Sequence, residues 1–143
     1  MARSFTFKLP FLRENGPTCQ VVIKPSDPTI EKLKLEKKDV PSITILALID
    51  TGASTTAVSK KVVKALKLVP RGTVQVYTSH KKPEIRNEFD IALEFDADTY
   101  LTILRALEAN LQNHNIDCLI GRDVLTHGVF TYNGPKKEVD LKF

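Results

Sequence analysis

Residues Ser42 to Ile49, Ser-Ile-Thr-Ile-Leu-Ala-Leu-Ile, form an almost unbroken apolar run that Pro41 opens and Asp50-Thr51-Gly52 closes. An apolar run of this length between turn formers reads as a strand buried on both faces. It is far below the roughly 18 residues that a membrane-spanning helix needs. The end of the run is the stronger constraint, because the strand delivers a carboxylate, Asp50, into a small, tight loop. A charged group in an apolar setting is costly unless neighbours donate hydrogen bonds to it. Thr51 and the Gly52 backbone could supply them, and Gly52 lets the backbone approach the carboxylate with no Cβ in the way.

The rest of the chain reads as strands between turns. Phe5, Phe7 and Leu9 alternate with Thr6 and Lys8, and Cys19 to Ile23 carries β-branched residues. Thr73 to Tyr77 and Asn87 to Phe95 alternate about a hairpin tip at Ser79-His80-Lys81-Lys82-Pro83. A second turn at Asp96-Ala97-Asp98 leads into Tyr100 to Leu107, and Ile116 to Ile120 runs into Gly121. Val129 to Tyr132 and Val139, Leu141 and Phe143 form a hairpin with Asn133-Gly134 as its turn. Glu31 to Asp39 has seven charged residues in nine and reads as a solvated loop or edge strand. The helical period appears near residues 59–67, with Val62, Val63 and Leu66 on one face, Lys60, Lys61, Lys64 and Lys67 on the other, and Ser59 as N-cap. A short helical turn is expected near 122–127. The class is therefore all-β.

Several functions are disfavoured by composition. The net charge is +4, but there is no Trp and no block of five or six like charges, so a nucleic-acid surface is not expected. Cys19 and Cys118 are far apart and form no C-x-x-C; they read as buried free thiols in a reducing compartment. His80, His114 and His127 show no metal-site spacing. Neither a phosphate-cradling Gly-rich loop nor a Ser nucleophile elbow is present. The opening residues, Met1 to Pro10, lack an apolar secretory core, so the expectation is a soluble, cytoplasmic protein without a membrane segment.

Asp-Thr-Gly alone occurs by chance in about 2% of chains this long, so a second element is needed. It comes about seventy residues downstream as Cys118-Leu119-Ile120-Gly121-Arg122-Asp123-Val124-Leu125. Together, Ile49-Asp50-Thr51-Gly52-Ala53 and Leu119-Ile120-Gly121-Arg122 resemble the retropepsin family of aspartic proteases, the retroviral protease type with bacterial and cellular relatives. The resemblance spans residues 41–143 and leaves 1–40 as an N-terminal extension with one or two strands. It implies an acid-protease-like closed barrel with Asp50 catalytic, Thr51, Gly52 and Ala53 in the active-site loop, and Gly121 and Arg122 crossing beneath it. It further implies that Thr51 braces the loop across a two-fold axis, that Gly52 contacts the bound peptide, and that Tyr77, Thr78 and Ser79 belong to a substrate-covering flap.

Hydrolysis by this route needs two carboxylates about 3 Å apart sharing one proton. The chain has one Asp-Thr-Gly, so the second must come from another copy in a two-fold homodimer. The expected activity is endopeptidase cleavage of extended polypeptide segments, with no metal and no cofactor. Two departures stand out. The flap region has no glycine at its tip, and Ser54 stands where viral relatives carry the aspartate that pairs with the arginine matching Arg122, leaving Arg122 to find Asp123 or a dimer contact. Two other readings stay open: a catalytically silent dimerisation or peptide-binding module of the same fold, and a basic nucleic-acid-binding β-barrel.

Overall fold

Period-two alternation closes this chain into a barrel. The computed structural model describes residues 3–77, 82–96, 99–111 and 114–143. The chain begins with β1 (Ser4–Lys8), α1 (Leu12–Asn15), β2 (Thr18–Pro25), α2 (Asp27–Leu35) and β3 (Ile43–Ile49). It continues through β4 (Ala57–Val58), α3 (Lys60–Ala65), β5 (Gly72–Val76), β6 (Glu84–Asp96) and β7 (Thr99–Glu108). Then come β8 (Cys118–Ile120), α4 (Arg122–Leu125), β9 (Val129–Asn133) and β10 (Glu138–Lys142). Six strands pair in the ring β2-β3-β8-β4-β7-β6 and back to β2, with β5 added outside β6. β2 is thus a stave of the barrel, paired with β3 on one side and β6 on the other.

β3 corrects the expectation of a strand buried on both faces. Ile45, Ala47 and Ile49 are buried, while Thr44 and Leu46 are exposed, Leu46 at 40%. A strand in a single-layer closed barrel turns alternate residues inward, so an apolar run need not mean two covered faces. The interior holds Phe89, Ile23, Ile91, Leu93, Ile120 and Val58, all essentially inaccessible. Each such side chain contributes about 1.5–3 kcal/mol of transfer free energy. α3 closes one side through Val62 and Leu66; Ser59 caps it by accepting from the Val62 amide and donates to Asp117 Oδ1 at 2.9 Å. The lysine face of α3 is exposed.

A second sheet, ordered β1-β10-β9, joins the two ends of the chain. The Arg3 and Phe143 backbones exchange hydrogen bonds at 2.8 and 2.9 Å. Phe5, Phe95 and Phe143 meet with ring centroids 5.2–6.5 Å apart, tying this sheet to the end of β6.

Two local readings are revised. Residues 27–35 form helix α2, where the charged stretch from Glu31 suggested a loop or edge strand. Pro28 in its first turn, Asp27 at its N-terminal end and Lys32 and Lys34 in its last turn favour a helix without any buried residue. The β9–β10 connection is four residues long, because Asn133 pairs with Glu138. A two-residue Asn133-Gly134 turn would require a backbone donor at Pro135, which proline lacks. The longer turn instead uses Asn133 Oδ1 as acceptor for the Lys136 amide at 3.1 Å and puts Lys137 at φ 54°. The loop before β2 contains the single-turn helix α1. Ala97 and Asp98 of the anticipated β6–β7 turn lie outside the described residues. Among the described residues no helix is long and apolar enough to cross a membrane.

Cys19 and Cys118 both face Ala47, from the strands on either side of it, and both are buried. Burial pushes the Cys19 thiol from 9.0 to about 12 and Cys118 further in the same direction. The native protein is therefore expected to leave both thiols unreactive toward an aromatic disulfide at pH 8, with reaction only on unfolding; rapid native labelling would contradict the burial. Because the folded-state values are raised, the stability they confer is complete below the unfolded thiol value and is lost as pH climbs through the alkaline range. Unfolding scans should accordingly show falling stability above about pH 9, and a shallower fall in a Cys19→Ala, Cys118→Ala protein.

Candidate active site

β8 lies between β3, to which it is parallel, and β4, to which it is antiparallel. The seven residues from Asp50 to Thr56 must therefore arch over the C-terminal end of β8, where the chain continues as Gly121-Arg122-Asp123. That topology brings together the two sequence elements separated by about seventy residues. The Asp50 amide extends the ladder to Ile120 O at 2.9 Å, so the catalytic candidate is anchored by strand pairing.

Within the arch, the Gly52 amide donates to Asp50 Oδ1 at 2.9 Å. A Cβ on Gly52 would stand 3.1 Å from that oxygen, so glycine leaves room for the carboxylate. Asp50 is half-buried, whereas Thr51 and Gly52 are exposed. The carboxylate sits at an open surface, not deep in an apolar pocket, because the strand ends before the loop begins. The Thr51 and Ala53 carbonyls both face Arg122: its Nη1 donates to Thr51 O at 2.7 Å and its amide to Ala53 O at 2.8 Å. Arg122 thus finds its partner in the loop backbone. Asp123, the partner anticipated for it, is engaged elsewhere: both its oxygens accept from Thr56. The Thr51 carbonyl takes the place of the missing carboxylate at position 54 as acceptor for the guanidinium, since an arginine fork reaches any suitably placed acceptor.

Gly121 fills the narrowest point under the arch. A Cβ there would lie 2.7 Å from Thr55 C and 2.9 Å from both Thr55 O and Thr56 N. Thr56 is fully buried, and its hydroxyl accepts from the Gly121 amide at 3.1 Å. Thr56 escaped the sequence reading; only its place six residues after Asp50 and its β-branched hydroxyl could have signalled it.

The β5–β6 hairpin pairs Val76 with Glu84, and Tyr77 beside its tip is 79% exposed. Thr78 and Ser79, with His80 and Lys81, lie outside the described residues. Cavities of 440 Å³ between α2 and the barrel and 530 Å³ beside α3 include none of Asp50, Thr51 or Gly52. In a single copy of the chain, Thr51 and Gly52 of this loop are exposed on the surface.

Comparison with known proteins adds three findings. The sequence model of a family described as aspartyl protease matches residues 39–124. Among solved structures, the chain is similar to the crystal structure of a retropepsin-like aspartic protease from Rickettsia conorii, at 14% identity and a TM-score of 0.49, over 100% of this chain and 97% of that one. No curated protein matches the chain.

Proposed function

Because the chain belongs to the aspartyl protease family, we propose that it is an endopeptidase in which Asp50 residues from two copies form one water-activating dyad. The observation that carries this reading is the outward presentation of Asp50 on a braced loop, its Oδ1 held by the Gly52 amide and its neighbours Thr51 and Gly52 exposed. In the proposed step, one carboxylate takes a proton from water, whose oxygen attacks the peptide carbonyl carbon. The other carboxylic acid gives its proton to the carbonyl oxygen. Collapse of the resulting diol breaks the C–N bond: the first carboxyl group gives the leaving nitrogen the proton it took from water, and the second takes back a proton from a diol hydroxyl. Neither step uses a metal or cofactor.

In this reading Thr51 braces the two loops across the axis and Gly52 meets the substrate backbone. Tyr77, Thr78 and Ser79 close over an extended peptide, which gains main-chain hydrogen bonds in the β conformation. A homodimer is compatible with the small sheet: β10 is paired on both sides within the chain, and β9, a strand at the sheet's edge, carries no charged residue. The second reading, a silent peptide-binding module, draws on the absence of glycine from Tyr77 to Pro83.

Incubation of the purified protein with a diverse peptide mixture from pH 4 to 8, beside sedimentation to determine its mass, separates the two. Cleavage by a dimer is the expected result. Binding without cleavage at high protein concentration would transfer the assignment to the module.

A further inference from the structure

The arch that carries Asp50 is gripped from below by two residues adjacent in sequence. Arg122 holds its front half through the Thr51 and Ala53 carbonyls. Asp123 holds its rear: the Thr56 amide donates to Oδ2 at 2.9 Å and the Thr56 hydroxyl to Oδ1 at 2.7 Å. The Val124 amide also donates to Oδ1, at 2.9 Å, which orients the carboxylate on α4. Since the same Thr56 hydroxyl accepts from the Gly121 amide, one buried group links the end of β8, the arch and α4. Thr56 O in turn accepts from the Leu107 amide at 2.9 Å, so the anchor point is continuous with β7.

We infer that Asp123 is a positioning residue for Asp50, fixing the far end of the arch through Thr56 so that the carboxylate reaches its counterpart in register. The catalytic consequence rests on the aspartic protease reading; the grip itself does not. Two carboxylates sharing a proton tolerate little displacement, and a misplacement of about 1 Å costs about a hundredfold in rate. All three groups that Asp123 meets here are donors, so an acceptor on each oxygen is what the site requires. Asp123→Asn keeps one acceptor and turns an amide donor toward a donor.

The test measures kcat and KM for a peptide the wild type cleaves, and amide hydrogen exchange at Gly52, Thr56 and Gly121. For Asp123→Asn, kcat should fall about a hundredfold with KM within about threefold of wild type, and exchange at Thr56 and Gly121 should accelerate. Thr56→Ser should retain wild-type kcat, whereas Thr56→Val should lower it as Asp123→Asn does. A folded Asp123→Asn protein with wild-type kcat, or with undiminished protection at Thr56, overturns the inference. Should Asp123→Asn fail to fold, the contrast between Thr56→Ser and Thr56→Val decides: equal kcat for the two overturns it. Were the wild type to cleave nothing, the protease reading falls, and exchange alone judges the grip, with unchanged protection overturning it.

Discussion

Asp50→Asn is expected to remove peptide cleavage while leaving the fold in place. The side chain is half-buried, its only hydrogen bond among the described residues comes from the Gly52 amide, and an asparagine oxygen can accept that bond equally well. What asparagine cannot do is take a proton from water or deliver one to a carbonyl oxygen. General acid and general base catalysis each contribute roughly 10²–10⁴-fold, and in a symmetric dimer both are lost together, so the rate should fall by at least about 10⁴-fold. Mixing gives a sharper result. If the dyad spans two copies, an equal mixture of wild type and Asp50→Asn, allowed to exchange subunits, should keep about a quarter of the activity of wild type at the same total concentration. An enzyme active as a monomer would keep half. Retained cleavage by pure Asp50→Asn would place the chemistry at another residue.

Gly121→Ala is expected to be strongly destabilising, because its methyl group would have to enter the space under the arch. Gly121 has φ −91° and ψ −175°, a backbone conformation open to any residue, so its requirement is one of space. The added Cβ would meet backbone atoms of Thr55 and Thr56 at 2.7–2.9 Å. Backbone cannot rotate aside as a side chain can. The arch would have to lift, stretching the bonds from Gly121 to Thr56 and from Thr56 to Asp123. Overpacking together with the loss of such bonds costs about 3 kcal/mol, which for a domain of this size lowers the melting temperature by about 10 °C. Gly134→Ala is the control: its Cβ would meet only Tyr132 Cε1, at 3.6 Å, and stability should change by less than about 0.5 kcal/mol. Equal melting temperatures for the two variants would show that the arch yields freely.

The legibility of the chain varies with the range of the forces involved. The N-cap at Ser59 and the amphipathic face of α3 depend on residues three and four apart, and both are readable. The Asn133-Gly134 signal misleads because Pro135, one residue further, removes the donor a two-residue turn needs. α2 is hidden because charge density resembles a solvated loop unless the first-turn proline and end charges are weighed. The apolar run of β3 suggests two covered faces, although inward alternation in a barrel satisfies the same composition.

By itself the sequence determined the pieces of the candidate site: a strand ending in Asp50-Thr51-Gly52, a later Ile120-Gly121-Arg122, and a β-rich chain around them. Those come from local rules of periodicity, turn chemistry and motif, which need no knowledge of distant residues. Tertiary structure alone decided how the pieces grip one another. The placement of β8 between β3 and β4 puts Gly121 under the arch, gives Arg122 to the Thr51 and Ala53 carbonyls, and gives Asp123 to Thr56. Those bonds join residues more than sixty positions apart, and with several acceptors chemically suited to the same donor, only the path of the backbone selects among them.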